Sequence, residues 1–289
     1  MQHQDKLQTF IFQDMDIRGQ ITTLAASQSE ILAQHHYPPC VALVFSEFLA
    51  AVSLLGATLK YSGRVILQAK GRGPVTTIMA ECSSDGGLRG IVHGDLESCD
   101  NLVGLASLVG SATLAITIEP DKGERYQGIV PLEGEQLSQC LEYYFEKSEQ
   151  LPTKIKLAAS ADGVSGILVQ QMPDTHDREK VALDWLNVSA LLATLRPDEQ
   201  LSRSHNEQLY LLFHEHLLRL FEPVSLRFRC TCSRPRTERA LRALGRQEVA
   251  SMCLEMGAVE VTCQFCNAQY RFDDGQVDAL FEEQKTSLH

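Results

Sequence analysis

Four of the chain's nine cysteines stand in two close pairs, Cys230-Thr231-Cys232 and Cys263-Gln264-Phe265-Cys266, with thirty residues between them. Two such pairs joined by a foldable insert can bring four thiolates to one tetrahedral zinc ion. The two-residue gap lets backbone N–H groups of a knuckle face the sulfurs, whereas the one-residue gap is less usual in purely structural fingers. A four-thiolate site leaves no open position for water, so zinc-hydrolase chemistry is not expected. Residues 228–289 are too few and too charged to fold well on a core of their own. One zinc ion per chain is therefore expected to contribute folding energy on the order of 10–16 kcal/mol.

The same sulfurs allow a second chemistry. Neighbouring cysteines can oxidise pairwise, Cys230 with Cys232 and Cys263 with Cys266, and a disulfide has no thiolate charge with which to hold zinc. Oxidation would then remove the energy that folds the module. Seven arginines (227, 229, 234, 236, 239, 242 and 246) stand against the single acid Glu238 in this stretch. Such a cluster favours thiolate over thiol; the plainer alternative is a solvated helix face. Cys40, Cys82, Cys99, Cys140 and Cys253 are isolated in sequence and read as small buried hydrophobes.

Other motifs carry less. Gly71-Arg72-Gly73-Pro74 reads as a turn rather than a dinucleotide fingerprint. Ser165 lacks a hydrolase elbow. His214 and His216, read as helical, would point about 200° apart and share no metal.

The elements that must position the cysteines follow from composition and periodicity. With 44% apolar and 22% charged residues the chain matches a soluble globular protein, which excludes disorder throughout, collagen-like repeats and a disulfide-dense miniprotein. The net charge of −11 disfavours general binding to nucleic acid or anionic lipid. It is divided as −8 over residues 1–175, −3 over 176–226 and zero over 227–289. The polar start, Met1 to Thr9, shows no secretory signal. The apolar stretch from Val41 to Leu59 carries Glu47 mid-run and reads as a core helix, not a membrane span. A cytoplasmic location follows, where thiols are kept reduced.

Strands are expected at 65–69, 75–80, 114–118, 127–130 and 167–170, with turn signals between many of them. Helices are expected at 41–60 and 135–147, which together make an α+β class. After a charged run at 174–180, Val181, Trp185, Val188, Leu192 and Leu195 recur at helical spacing up to Pro197. Leu209, Leu212, Phe213, Leu217, Leu220 and Phe221 suggest a second helix up to Pro223. Both are too short to be stable alone, so their apolar faces must lie on something. Two further helices, ended by Gly245 and Gly257, precede a small hairpin around Cys263 and Cys266. The expected organisation is an N-terminal mixed core domain (1–175), a helical linker (176–227) and a small C-terminal zinc-binding domain (228–289).

The cysteine signature sits in Arg227-Phe-Arg-Cys-Thr-Cys-Ser-Arg234 and Val261-Thr-Cys-Gln-Phe-Cys-Asn267. Together with Asp16-Ile-Arg-Gly19, Ala57-Thr-Leu-Lys-Tyr-Ser-Gly-Arg64, the run from Gly123 to Gly134 and Leu220-Phe-Glu-Pro223, it resembles the bacterial heat shock protein 33 family over essentially the whole chain. The resemblance implies a redox-regulated, ATP-independent holdase chaperone, not an enzyme. Cys230, Cys232, Cys263 and Cys266 would be both zinc ligands and redox-active cysteines. It implies an inactive reduced zinc form, and an oxidised form with two disulfides, no zinc, an unfolded C-terminal module and linker, and exposed apolar surface. It further implies unfolding client proteins as partners, bound through the first domain, and a homodimer when oxidised. The alternatives are a zinc-dependent nucleic-acid module using Arg227 to Arg246, and a thiol oxidoreductase. The latter lacks a Cys-x-x-Cys opening a helix in a βαβ context.

Overall fold

The computed structural model describes residues 5–57, 62–173 and 178–286. Thr58 to Tyr61, the end of the expected core helix and part of one family motif, lie outside the described residues. So do Asp174 to Asp177 of the charged run. The chain forms two compact units, Met1–Arg229 and Cys230–His289. The described residues of the expected linker therefore belong to the first unit.

The first unit opens with strands β1 (Lys6–Phe12) and β2 (Ile17–Leu24), then helices α1 (Ala26–Leu32) and α2 (Pro39–Gly56). Strands β3 (Gly63–Gly71), β4 (Val75–Ser83) and β5 (Gly87–Gly94) follow. A 3-10 turn (Leu96–Cys99) leads to α3 (Gly104–Val109), β6 (Ala112–Pro120) and β7 (Tyr126–Pro131). Helix α4 (Leu137–Tyr144) runs on into a π turn (Phe145–Glu149), then β8 (Thr153–Ala159) and β9 (Val164–Gln171). The unit closes with α5 (Arg178–Ala193), α6 (Pro197–Ser202), α7 (His205–Phe213), β10 (Leu218–Leu220), β11 (Val224–Ser225) and β12 (Arg227–Phe228). The architecture is mixed α+β.

Two six-stranded sheets result, one in the order β10-β1-β2-β9-β8 with β11 also on β1, the other β12-β5-β4-β3-β6-β7. Alternation explains the strands: on β3, Val65, Leu67 and Ala69 are buried while Arg64, Ile66 and Gln68 are half-buried. Helix α2 touches strands of both sheets. Phe45, Phe48, Leu49 and Leu54 bury completely or nearly so at the centre of the larger core. The helix is apolar enough to cross a membrane by composition, yet 67% of it is buried inside the unit. Gly19 stands opposite Phe10 in the β1–β2 register. A Cβ there would fall 2.1 Å from the Phe10 ring, so glycine is what lets that ring lie across the sheet.

The outer face of the first sheet presents Phe10, Phe12, Ile17, Ile21, Ile167 and Val169. Helices α5 and α7 and the turn after α5 cover it with Val188, Leu192, Leu195, Leu209, Leu212 and Phe213, forming a second core. Each fully buried side chain of this size contributes about 1.5–3 kcal/mol. A polar seam lies beside it. Gln200 donates to the carbonyls of Lys156 and Ser165, Gln208 donates to those of Gln200 and Arg203, and His205 Nε2 sits 3.1 Å from Thr23 Oγ1.

The second linker helix is shorter than its periodicity suggests. It ends at Phe213, and Leu218–Leu220 becomes strand β10, antiparallel to β1 with Phe10 opposite Leu220 and Phe12 opposite Leu218. The open edge of β1 pairs with the backbone of this segment in place of the i→i−4 bonds of a further helical turn. His214 and His216 accordingly follow the helix rather than ride on it.

The second unit holds α8 (Arg234–Leu244), α9 (Arg246–Met256), the antiparallel hairpin β13 (Val259–Thr262) and β14 (Gln269–Phe272), and α10 (Asp274–Thr286). Gly257 takes a left-handed conformation at φ 77°, which ends α9 and turns the chain into β13. The core consists of Leu241, Val249, Cys253, Val259, Phe272, Val277, Leu280 and Phe281. With Ala258, the described residues of this unit bury nine apolar side chains, few for about sixty residues, in line with the need for a staple.

Candidate metal centre

Cys230 and Cys232 lie on the extended stretch leading into α8. Cys263 and Cys266 lie in the turn between β13 and β14. The hairpin register closes that turn at Thr262 and Gln269. Inside it, the Cys263 N–H donates to the Ala268 carbonyl at 2.9 Å and the Asn267 N–H donates to the Cys263 carbonyl at 2.9 Å. Asn267 adopts φ 54°, a left-handed conformation that asparagine tolerates. The turn thereby aims both sulfurs to one side.

All four Sγ atoms lie within 4.8 Å of one another. Across the pairs, Cys230 Sγ lies 3.6 Å from Cys263 Sγ and Cys232 Sγ lies 3.4 Å from Cys266 Sγ. Sulfurs each 2.3 Å from a common tetrahedral centre would stand about 3.8 Å apart, so the spacing fits a four-thiolate metal site. Such soft donors suit zinc, copper(I) or an iron–sulfur cluster. All four are half-buried free thiols. Among the described residues, this is the sole group of three or more potential ligands brought together.

Tyr270 on β14 was not singled out by the sequence. Its hydroxyl donates to Cys232 Sγ at 3.1 Å. Its position on the hairpin, four residues beyond Cys266, is the one signal that could have pointed to it. The hydrogen bond to Cys232, reinforced by burial and the neighbouring sulfurs, pushes the phenol up to about 12. Burial raises the Cys266 thiol well above its ordinary value. The Ala268 backbone opposes this, and the other three sulfurs add to it. The cluster therefore resists carrying four negative charges on its own, and a cation at its centre would reverse that balance.

The arginine cluster is largely engaged elsewhere. Arg227 and Arg229 both pair with Asp85 inside the first unit. Arg234 stacks on Phe272 with its guanidinium 4.3 Å from the ring centre and donates to the Arg271 carbonyl and to Gln276. Arg242 donates to the Leu280 carbonyl, and Arg246 pairs with Asp278. Arg236 approaches the first cysteine pair through Thr231 Oγ1, at 3.0 Å. Six of the seven thus hold fold contacts instead of forming a free cationic face. Of the remaining cysteines, Cys82, Cys99, Cys140 and Cys253 are buried and Cys40 is half-buried.

Known proteins resemble this chain over nearly its whole length. The family described as Hsp33 protein matches residues 5–273. A protein of Pseudomonas aeruginosa named 33 kDa chaperonin is 43% identical over 284 residues, covering 97% of this chain and 96% of its own. One of Azotobacter vinelandii with the same name is 43% identical over 280 residues, covering 96% and 94%. In fold, the chain is similar to the crystal structure of a 33 kDa chaperonin, a heat shock protein 33 homologue, from Thermotoga maritima. The TM-score is 0.83 at 23% identity, over 98% of this chain and all of that one.

Proposed function

The chain belongs to the Hsp33 family of chaperones, and from that premise we propose that it is a redox-regulated, ATP-independent holdase whose switch is the four-cysteine centre. The observation that carries this reading is the convergence of Cys230, Cys232, Cys263 and Cys266 within 4.8 Å in a unit with a small core. In the reduced chain these residues would hold one zinc ion. When bound, zinc would supply the positive charge that keeps four sulfurs as thiolates and joins the hairpin turn to the stretch before α8.

Oxidation proceeds at the sulfurs themselves. One peroxide molecule converts each pair of thiols to a disulfide and is reduced to two molecules of water. Cys230 pairs with Cys232 and Cys263 with Cys266. Disulfide sulfur is a poor ligand, so the module loses its staple and its structure. In this reading residues 228–289 are the switch, 176–227 a linker that is released, and 1–175 the domain that binds clients and dimerises. The apolar side chains of α5 and α7, with the sheet face they cover, are the surface that release would expose. The protein turns over no small molecule and works in the cytoplasm, where its thiols start reduced. Its net charge of −11 would keep the exposed form soluble.

The experiment is to follow zinc release with a chromogenic chelator while peroxide and mild heat are applied, and to assay aggregation of a thermally unfolding client. The expected result is one zinc released per chain, with suppression appearing only after release. Equal suppression by the fully reduced, zinc-loaded chain would overturn the switch.

A further inference from the structure

Cys40 and Cys99 are 59 positions apart in sequence, and the fold of the first unit brings them together. Cys40 lies in the first turn of α2, and Cys99 closes the 3-10 turn that follows β5. The Cys40 thiol donates to the Cys99 carbonyl oxygen at 3.1 Å. Ordinary bond lengths then place the Cys40 sulfur within about 5.5 Å of the Cys99 Cα. The Cys99 thiol donates to the Asp95 carbonyl at 3.5 Å. A disulfide requires the Cys99 side chain to rotate about its Cα–Cβ bond, giving up that weak hydrogen bond, and the two sulfurs to close to about 2.05 Å.

The surroundings divide the roles. Cys40 is half-buried and Cys99 fully buried. A groove of about 660 Å³ is lined among others by His36, Tyr37, Pro38, Asp95, Glu97 and Asp100, residues that neighbour the two cysteines in sequence. Burial, then Cys40 and the two aspartates, hold the Cys99 thiol above its ordinary value. Cys99 is therefore the slower thiol. The carboxylates of Asp95, Glu97 and Asp100 disfavour anionic oxidants such as glutathione disulfide, so the oxidant of this site is an uncharged peroxide.

We propose that Cys40 and Cys99 form a second redox couple, separate from the four-cysteine centre, in which a peroxide oxidises Cys40 and Cys99 resolves it to a disulfide. The Cys40 sulfur attacks one peroxide oxygen, the O–O bond breaks, and a sulfenic acid and water form. The Cys99 sulfur then attacks the Cys40 sulfur and displaces the hydroxyl as a second water. Two thiols and one hydrogen peroxide thus become one disulfide and two waters. The bond ties α2, the helix that touches both sheets, to the 3-10 turn after β5, and closes a long loop that restricts the unfolded chain. The first unit is fastened by oxidation, whatever happens to the second.

Trypsin isolates the two residues in peptides 19–60 and 90–122, each of which contains no other cysteine. The full-length chain is treated with hydrogen peroxide under native conditions, alkylated and digested without reductant. Mass spectrometry should then show these two peptides joined. The Cys40→Ser and Cys99→Ala chains should lack the joined species, and oxidation should raise the melting temperature of the wild type's first unit but of neither variant's. Two outcomes overturn the proposal. In one, both thiols remain fully alkylatable after Cys230, Cys232, Cys263 and Cys266 have been oxidised. In the other, the link forms only when the chain is oxidised in denaturant. The four-cysteine centre reports on different peptides, so failure here is distinguishable from failure of the zinc switch.

Discussion

The Tyr270 hydroxyl donates to Cys232 Sγ across 3.1 Å, which makes β14 a support for the first cysteine pair as well as the closure of the second. Tyr270→Phe keeps the ring and removes only the donor. Loss of an outer partner to a metal ligand typically costs 10–100-fold in affinity. The expected result is about tenfold weaker zinc retention by the reduced chain in chelator competition, with faster release under peroxide. Retention equal to the wild type would show that this hydrogen bond does nothing for the metal.

Metal removal should unfold the second unit while sparing the sheets of the first. The second core contains eight buried side chains, whereas the first unit has two cores built on six-stranded sheets. Stripping zinc from the reduced chain with a strong chelator is expected to abolish amide protection in α8, α9 and α10. Protection in β3, β4 and β6 should stay unchanged. Hydrogen exchange read by mass spectrometry resolves the two regions. Preserved protection in α9 after complete zinc loss would contradict coupled folding.

Much of this was legible in the sequence because its signals are local. The strands at β3, β4, β6, β7 and β9 show as apolar runs between turn residues, and the four cysteines show by spacing alone. What stayed hidden depends on distant partners. β2 carries Gln20, Thr22 and Thr23, polar residues that are buried because the strand lies inside a sheet, so its alternation is blurred. Leu217, Leu220 and Phe221 keep helical spacing, yet the edge of β1 recruits Leu218–Leu220 as strand. α10 has only Val277, Leu280 and Phe281 to mark its inner face. Cys40 and Cys99 looked isolated, since nothing local announces a contact across 59 residues.

If α7 is held on the sheet by its apolar face, weakening that face should release it without oxidation. Phe213 is 1% exposed and meets Phe12 edge to face, with ring centres 5.1 Å apart. Phe213→Ala removes this contact and leaves a cavity, at a cost of about 3–5 kcal/mol. The expected phenotype is a reduced, zinc-loaded chain that already suppresses client aggregation, with increased amide exchange in α7. A destabilised variant that remains inactive until oxidised would separate linker docking from the switch.

Glu47 gives the first unit a pH dependence of its own. Burial on α2 raises its carboxyl from an ordinary 4.5 to about 7. A carboxyl whose pKa is raised by folding favours the native state while it is protonated. That stability is fully present below pH 4.5 and is lost as pH rises through about 7. The span corresponds to a penalty of up to about 3 kcal/mol once the group is ionised in both states. Glu47→Gln removes the ionisation and keeps the shape. It is therefore expected to raise the melting temperature at pH 8, leave it nearly unchanged at pH 4.5, and flatten the profile between. Melting curves of wild type and variant across that range provide the measurement. A variant equally or less stable than the wild type at pH 8 would mean that water or a rearranged side chain already solvates the Glu47 carboxylate in the folded chain.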